Sequence, residues 1–163
     1  MDGPRLLIVD VNETLLDLAG LRSIFSEALG GGESLAEWFF RLLHGSLVAN
    51  ATDSFRSFET IGVEALRAVA LRQGRELSDR DAHHLVDGFR SLSPHPDVPG
   101  GLSRLAAAVF RLVALSNGSA LGIRSQLTHA GIVDRLERIV SVEEASRFKP
   151  DPAPIAWRSH IWA

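Results

Sequence analysis

The first apolar run and the residue after it constrain this chain most. Residues 5–9 (RLLIV) form a short, continuous apolar stretch, which is typical of a strand buried on both faces of a parallel sheet. Asp10 follows directly. Open α/β sheets bind their ligands in the crevice outside the carboxyl ends of the strands. Asp10 is therefore the first candidate for a reactive group, although an Asx-turn that caps the next segment would also explain it.

Two later apolar runs also lead into polar residues. Residues 109–115 precede Ser116 and Asn117, and residues 139–142 precede the segment that contains Lys149. Each run has the length and composition of a buried strand. The chain therefore places an aspartate, a serine and a lysine after three successive predicted strands.

This order of motifs resembles the haloacid dehalogenase-like (HAD) superfamily, and specifically its type II haloacid dehalogenases. The resemblance is carried by VDVNETLLD at residues 9–17, LSNGS at 115–119 and RFKPDPAP at 147–154. It covers nearly the whole chain up to Pro154. It implies an α/β fold in which a HAD-like Rossmannoid core, built on a parallel sheet, carries an inserted helical cap domain.

Helical periodicity agrees with such an insertion. The predicted helices span residues 15–29, 33–49, 55–72, 78–92, 102–108 and 121–130. The resemblance assigns residues 1–14 and 98–163 to the core, and residues 15–97 to the helical cap and its linkers. The clearest linker, residues 93–101, is rich in proline and glycine, and turn chemistry accounts for His95 within it.

The C-terminal end departs from the superfamily pattern. The superfamily closes its site with a further aspartate motif on a strand beside the first, and no such strand pattern precedes residue 163. We therefore expect a sheet that is incomplete at its C-terminal end. The codons for residues 155–163 can also be read in a frame that starts one base earlier. Read in that frame, they can encode an amphipathic helix. Its first residue is then a tyrosine, which the resemblance implies at position 155. A frameshift that shortened the chain would explain this pattern.

Composition excludes several functional classes. The 163 residues suit one domain with a modest insertion, and the net charge of -3 gives no electrostatic basis for binding nucleic acid or an anionic membrane surface. Without cysteine there is no disulfide and no thiolate metal site. The sequence shows no signal-peptide pattern and no apolar stretch of membrane-spanning length, so a cytoplasmic location is expected.

The resemblance implies a hydrolase that converts short (S)-2-haloacids into 2-hydroxy acids. Ionised Asp10 would attack C2 and expel halide, forming an aspartyl ester that water then hydrolyses. Lys149 would balance the charge of Asp10, and the hydroxyl of Thr14 would orient it. The residues expected to bind the substrate are Val11, Asn12, Arg41, Ser116 and Asn117.

Asn12 separates this reaction from phosphate hydrolysis. HAD phosphatases generally carry a second aspartate two residues after the nucleophile, because the leaving alkoxide must be protonated. The amide of Asn12 cannot protonate a leaving group, and its neutrality weakens any Mg²⁺ site. We therefore expect no metal and no cofactor.

Two residues, one in the cap and one in the core, depart from the type II pattern. In those enzymes an arginine that follows a tryptophan in the first long cap helix helps bind the substrate carboxylate and halide, but here Phe39 follows Trp38. Arg41 lies about 200° further round a helix, and a solvated arginine explains it as well. Glu13 stands where glycine is usual and adds a negative charge.

Two other functions stay open at this point. One is a HAD phosphatase, and the other is a truncated, catalytically inactive HAD-like protein. The expected partner is a small 2-haloacid rather than nucleic acid or membrane, and the resemblance suggests a homodimer.

Overall fold

A three-stranded parallel sheet lies at the centre of the computed structural model, which describes residues 5–156. Its strands are β1 (Arg5–Val9), β2 (Phe110–Ser116) and β3 (Arg138–Ser141), in the spatial order β1-β2-β3. The register pairs Val9 with Ala114 and Ser116 with Ser141, so the three carboxyl ends lie along one edge. The predicted parallel α/β sheet is confirmed.

Seven α-helices accompany the sheet within residues 5–156. They are α1 (Arg22–Leu29), α2 (Ser34–Ala51), α3 (Phe58–Arg72), α4 (Asp79–Asp87), α5 (Val98–Ala107), α6 (Ala120–His129) and α7 (Ala153–Ala156). Helices α1 to α4 lie between β1 and β2 in the chain, as the periodicity predicts, and we call them the helical layer. Helix α6 connects β2 to β3.

Two helices begin four or more residues away from the positions that the apolar spacing predicts. Helix α1 begins at Arg22 instead of residue 15, because Leu15 and Leu16 turn into the core and a short 3₁₀ helix, Leu18–Leu21, follows them. Helix α5 begins at Val98, inside the predicted linker. Its first turn contains a proline, which is tolerated there because the first N–H groups of a helix have no partner within it.

The two chain segments that cross between the sheet and the helical layer lie side by side. The backbone N–H of Asp17 donates to the carbonyl of Ser93 at 2.9 Å, and that of His95 donates to the carbonyl of Leu15 at 3.0 Å. Both ends of the helical layer are therefore held together at one place. The domain boundaries at residues 14 and 97 remain a prediction.

Trp38 holds the helical layer together. Its side chain has no exposed surface, and its ring packs against Phe25 at a centroid distance of 4.7 Å and against Phe89 at 5.3 Å. The indole N–H donates to the carbonyl of Gly62 at 2.9 Å. One side chain thus joins α1, α2, α3 and the 3₁₀ helix Gly88–Ser91.

The alternative reading frame concerns residues 155–163, and apart from Ile155 and Ala156 these lie outside the described residues. No helix within residues 5–156 is both long enough and apolar enough to cross a membrane.

Replacing Trp38 with alanine is expected to lower the free energy of unfolding by about 3–5 kcal/mol, because a large buried ring leaves a cavity and an unpaired carbonyl. Urea denaturation followed by circular dichroism measures this loss. Phe40→Ala, two residues away on α2, is the control, since Phe40 is 69% exposed. Its effect should stay within about 0.5 kcal/mol. Equal losses in the two variants would contradict the assignment of Trp38 as the centre of this packing.

Candidate active site

An aspartate and a lysine from opposite parts of the chain meet at the carboxyl edge of the sheet. Asp10 follows β1, and Lys149 lies in the segment after β3. The Lys149 ammonium donates to Asp10 Oδ1 at 2.6 Å and to the carbonyl of Leu115, in β2, at 2.7 Å. The side chain of Lys149 is 21% exposed and that of Asp10 is 50% exposed. The pair therefore lies at an accessible edge.

One oxygen of Asp10 is held and the other is free. Oδ1 accepts from the Lys149 ammonium and also from the backbone N–H of Val11, at 2.7 Å. Across residues 5–156, Oδ2 has no hydrogen-bond partner. A carboxylate that is oriented through one oxygen, with its charge balanced by a cation, can attack an electrophile with the other.

The residues after β2 position the backbone of Lys149. Asn117 Oδ1 accepts from the Lys149 N–H at 2.9 Å, which leaves the amide NH₂ of Asn117 as a donor. Ser116 is 1% exposed, and its hydroxyl accepts a long hydrogen bond of 3.5 Å from the N–H of Gly118. The structure thus brings Ser116 and Asn117 to the same edge as the charge pair.

Asn12 faces a small cavity between the sheet and the helical layer. The cavity has a volume of about 70 Å³, and Phe58, Phe89 and Gly118 also line it. The amide of Gln126 donates to Asn12 Oδ1 at 3.3 Å. The position two residues after Asp10 is therefore a neutral, hydrogen-bonded amide.

Two predicted site residues are not brought to Asp10. Thr14 is exposed, and within the described chain its hydroxyl makes no hydrogen bond to Asp10. Arg41 pairs with Glu37 on the preceding turn of α2 at 3.0 Å and lines a separate cavity together with Arg72. The proposed roles of Thr14 and Arg41 stay predictions that these contacts do not support.

Sequence reasoning missed Asn50, which holds the segment before Lys149. Its side chain accepts from the N–H of Phe148 at 2.9 Å and donates to the carbonyl of Phe148 at 2.8 Å. The fully buried Phe148 ring packs against Phe55 at 4.8 Å and Phe58 at 6.1 Å. The helical layer therefore fixes the residue next to the lysine. No spacing in the sequence signals a contact between residues 98 positions apart.

Glu13 adopts a backbone conformation that favours glycine. Its φ is +61°, in the left-handed region, which explains why glycine is usual at this position in the resembling enzymes. The side chain accepts from the N–H of Leu18 at 2.9 Å. It also lines a cavity of about 440 Å³ together with Asp17, Phe39 and Phe40. Residue 39 therefore contributes an aromatic ring to a cavity that is lined by three carboxylate residues and one arginine.

A carboxyl group near the carboxyl edge of the sheet has a raised pKa. Glu143 follows β3, and burial raises its pKa, with the nearby carboxylate of Glu59 on α3 raising that pKa further. Glu59 in turn lines the small cavity that contains Asn12. Burial and the neighbouring carboxylate therefore both disfavour the ionised form of Glu143.

Removing the side-chain amide of Asn50 is expected to destabilise the fold, because the backbone groups of Phe148 lose both partners. Asn50→Ala should lower the free energy of unfolding by about 1–3 kcal/mol, measured by urea denaturation. Ser54→Ala is the control, because Ser54 is exposed and bonds only to the neighbouring Thr52 through its hydroxyl. A loss for Asn50→Ala no larger than for Ser54→Ala would show that the Phe148 contact contributes nothing to stability.

Solved structures share this arrangement of elements, and other proteins are similar to the chain in sequence. The L-2-haloacid dehalogenase from Xanthobacter autotrophicus superposes with a TM-score of 0.90 at 24% identity, covering 97% of this chain and 64% of that one. The (S)-2-haloacid dehalogenase of Pseudomonas sp. strain YL is 29% identical over 153 residues, which are 93% of this chain and 66% of that protein. The chain thus spans about two thirds of the length of these relatives.

A third protein is similar at a level that shows the family. (S)-2-haloacid dehalogenase 1 of Pseudomonas sp. strain CBS-3 is 31% identical over 158 residues, which are 93% of this chain and 68% of that protein. A scan against protein-family models finds no match. The identity to the strain CBS-3 protein, together with the shared fold, shows that this chain belongs to the 2-haloacid dehalogenase family of the HAD superfamily.

Proposed function

We propose that this chain hydrolyses short (S)-2-haloacids to 2-hydroxy acids through an ester on Asp10. The observation that carries the proposal is the Asp10–Lys149 pair, in which Oδ1 is held at 2.6 Å from the ammonium and Oδ2 is free among the described residues. The three similar proteins are (S)- or L-2-haloacid dehalogenases, which supports the proposal.

The reaction would proceed in two displacements. Asp10 Oδ2 attacks C2 of the haloacid, the carbon–halogen bond breaks, and the halide leaves with the bonding electron pair. Water then attacks the carbonyl carbon of the ester and the acyl C–O bond breaks. The 2-hydroxy acid leaves with the former Oδ2 and takes up one proton of the water, and the carboxylate of Asp10 is regenerated as the other proton is released. Lys149 balances the carboxylate charge before the attack and after hydrolysis.

The groups after β2 are suited to receive the substrate carboxylate. The amide NH₂ of Asn117 is a donor. Because Oδ1 of the same amide accepts from the backbone N–H of Lys149, the direction of the NH₂ group is set before a substrate binds. The hydroxyl of Ser116 lies beside it in the chain and is a second donor. In this proposal Val11 contributes its backbone N–H, which orients Asp10.

Asn12 favours halide over phosphate as the leaving group. Its oxygen accepts from Gln126, and a neutral amide cannot protonate an alkoxide, whereas a halide ion leaves without a proton. Hydrolysis of a phosphate ester is therefore the alternative that an assay must exclude. Catalytic inactivity of the 163-residue chain is the other.

The cavity beside Glu13 and Phe39 argues for a less simple substrate than the smallest haloacids. Its aromatic lining favours an apolar substituent on C2, and its three carboxylates, which outnumber the single arginine, oppose a second anionic group. Arg41 would have to leave Glu37 before it could bind a substrate carboxylate. We infer a monoanionic haloacid with an apolar side chain.

A homodimer and a cytoplasmic location complete the proposal. Phe40, Leu43 and Leu47 are 69%, 39% and 47% exposed and lie one helical turn apart on one side of α2. Such an apolar stripe on a helix supports contact with a second copy of the chain.

Halide release from 2-chloropropionate tests the reaction. Asp10→Asn should lower kcat/KM by at least about 10³-fold, and Lys149→Met by about 10²–10³-fold, because they remove the nucleophile and its counter-charge. Asp97→Asn, which changes an exposed linker carboxylate, is the control and should retain full activity. Turnover of p-nitrophenyl phosphate with Mg²⁺ and no halide release would establish the phosphatase instead. A folded chain without either activity would establish the inactive protein.

Restoring the two usual residues should improve turnover of the smallest haloacids. Phe39→Arg combined with Glu13→Gly adds a donor for the substrate carboxylate and removes a repelling charge from the same cavity, so kcat/KM for 2-chloropropionate should rise about tenfold. Val48→Arg combined with Glu13→Gly is the matched control, because Val48 also lies on α2, is 45% exposed and is not among the residues that line this cavity. Equal gains in both double variants would show that general charge, and not position 39, sets the preference.

A further inference from the structure

Three side chains of types that can bind a metal ion lie close together where the two crossing segments run side by side. Glu13 and Asp17 belong to the first crossing segment and His95 to the second. One ligand atom from each lies within 4.8 Å of the others. This cluster does not include the Asp10–Lys149 pair, although Glu13 and Asp17 also line the cavity that the proposed function assigns to the substrate side chain.

His95 has an unexplained nitrogen. Its Nε2 is buried and lacks a hydrogen-bond partner in the described part of the chain. More than about 90% of buried polar groups in proteins have a partner, so a buried imidazole nitrogen without one needs an explanation. A neutral imidazole nitrogen is the commonest metal ligand that proteins offer. His95 is also held by its backbone, because its N–H donates to the carbonyl of Leu15.

The two carboxylates have spare ligand capacity. Glu13 uses one oxygen to accept from the N–H of Leu18, and Asp17 uses one to accept from the N–H of Ala19. Neither forms an ion pair with a lysine or arginine within residues 5–156. Two negative charges therefore lie close together, each with one oxygen unused, beside a cavity of about 440 Å³.

We propose that Glu13, Asp17 and His95 bind a divalent transition-metal ion, with Zn²⁺ as the representative. Two carboxylate oxygens and one imidazole nitrogen form a donor set that Zn²⁺ uses, with bonds of about 2.0–2.2 Å. The three ligand atoms already lie within 4.8 Å of one another, and the exposed side chain of Glu13 is free to adjust to the ion. The remaining coordination positions face the cavity and are filled by water.

A bound ion at this position stabilises the contact between the two crossing segments. Because its ligands come from both crossing segments, the bound ion ties the start of the helical layer to its end. Binding to the folded state alone raises stability as the ion concentration exceeds the dissociation constant. The melting temperature of the chain therefore rises with Zn²⁺ and returns to its starting value when EDTA is added.

Isothermal titration of the EDTA-treated 163-residue protein with ZnCl₂ tests the site. One equivalent should bind with a dissociation constant in the micromolar range, and Glu13→Gln, Asp17→Asn and His95→Gln should each weaken binding at least about tenfold. The amide variants keep an oxygen that can accept from Leu18 and Ala19, so the fold is retained. Glu13→Gly offers a second check, since glycine suits the positive φ and leaves no ligand.

A control separates this site from surface histidines. His83 and His84 lie on α4, and the double variant His83→Ala, His84→Ala should bind Zn²⁺ with unchanged affinity and show the full rise in melting temperature. The proposal is overturned if the folded protein binds no Zn²⁺, if the His83, His84 variant loses the binding, or if Glu13→Gln and His95→Gln bind as tightly as the unaltered chain.

Discussion

The structure depends on one ammonium group that must satisfy two acceptors at once. Lys149 reaches the Asp10 carboxylate and the Leu115 carbonyl with hydrogen bonds of 2.6 and 2.7 Å. These acceptors end neighbouring strands, so their separation is set by the register that pairs Val9 with Ala114. A slip of one residue between β1 and β2 would turn every side chain of one strand to the other face and leave the ammonium with one acceptor. The Asp10–Lys149 pair therefore forms only when β1 and β2 pair in the observed register.

Local patterns in the sequence predict the parts of this arrangement that depend on neighbouring residues. Apolar runs identify the three strands, and the polar residues that follow them identify Asp10, Ser116 and Asn117, because strand ends and ligands share one edge. The resemblance adds Lys149, whose partner could not be derived from spacing. The family itself is confirmed by the relatives.

Other features depend on contacts between distant residues and were not predictable. The periodicity of residues 15–29 is helical, yet Leu15 and Leu16 are drawn into the core and delay α1. Asn50 lies on an ordinary helix face, and only the fold shows that it binds the backbone of Phe148. Turn chemistry accounts for His95 in the linker sequence. Its proximity to Glu13 is visible only in the fold, where the two crossing segments lie side by side.

The two hydrogen bonds between the Asn50 side chain and the Phe148 backbone connect the helical layer to the charge pair. Phe148 is seated among aromatic rings of the helical layer, and the next residue supplies the counter-ion of the nucleophile. A swing of the helical layer away from the sheet would carry Phe148 with it and withdraw the ammonium from Asp10. Such a motion would leave Asp10 without its counter-ion. The contact between Asn50 and Phe148 therefore couples the position of the helical layer to the charge balance of the nucleophile.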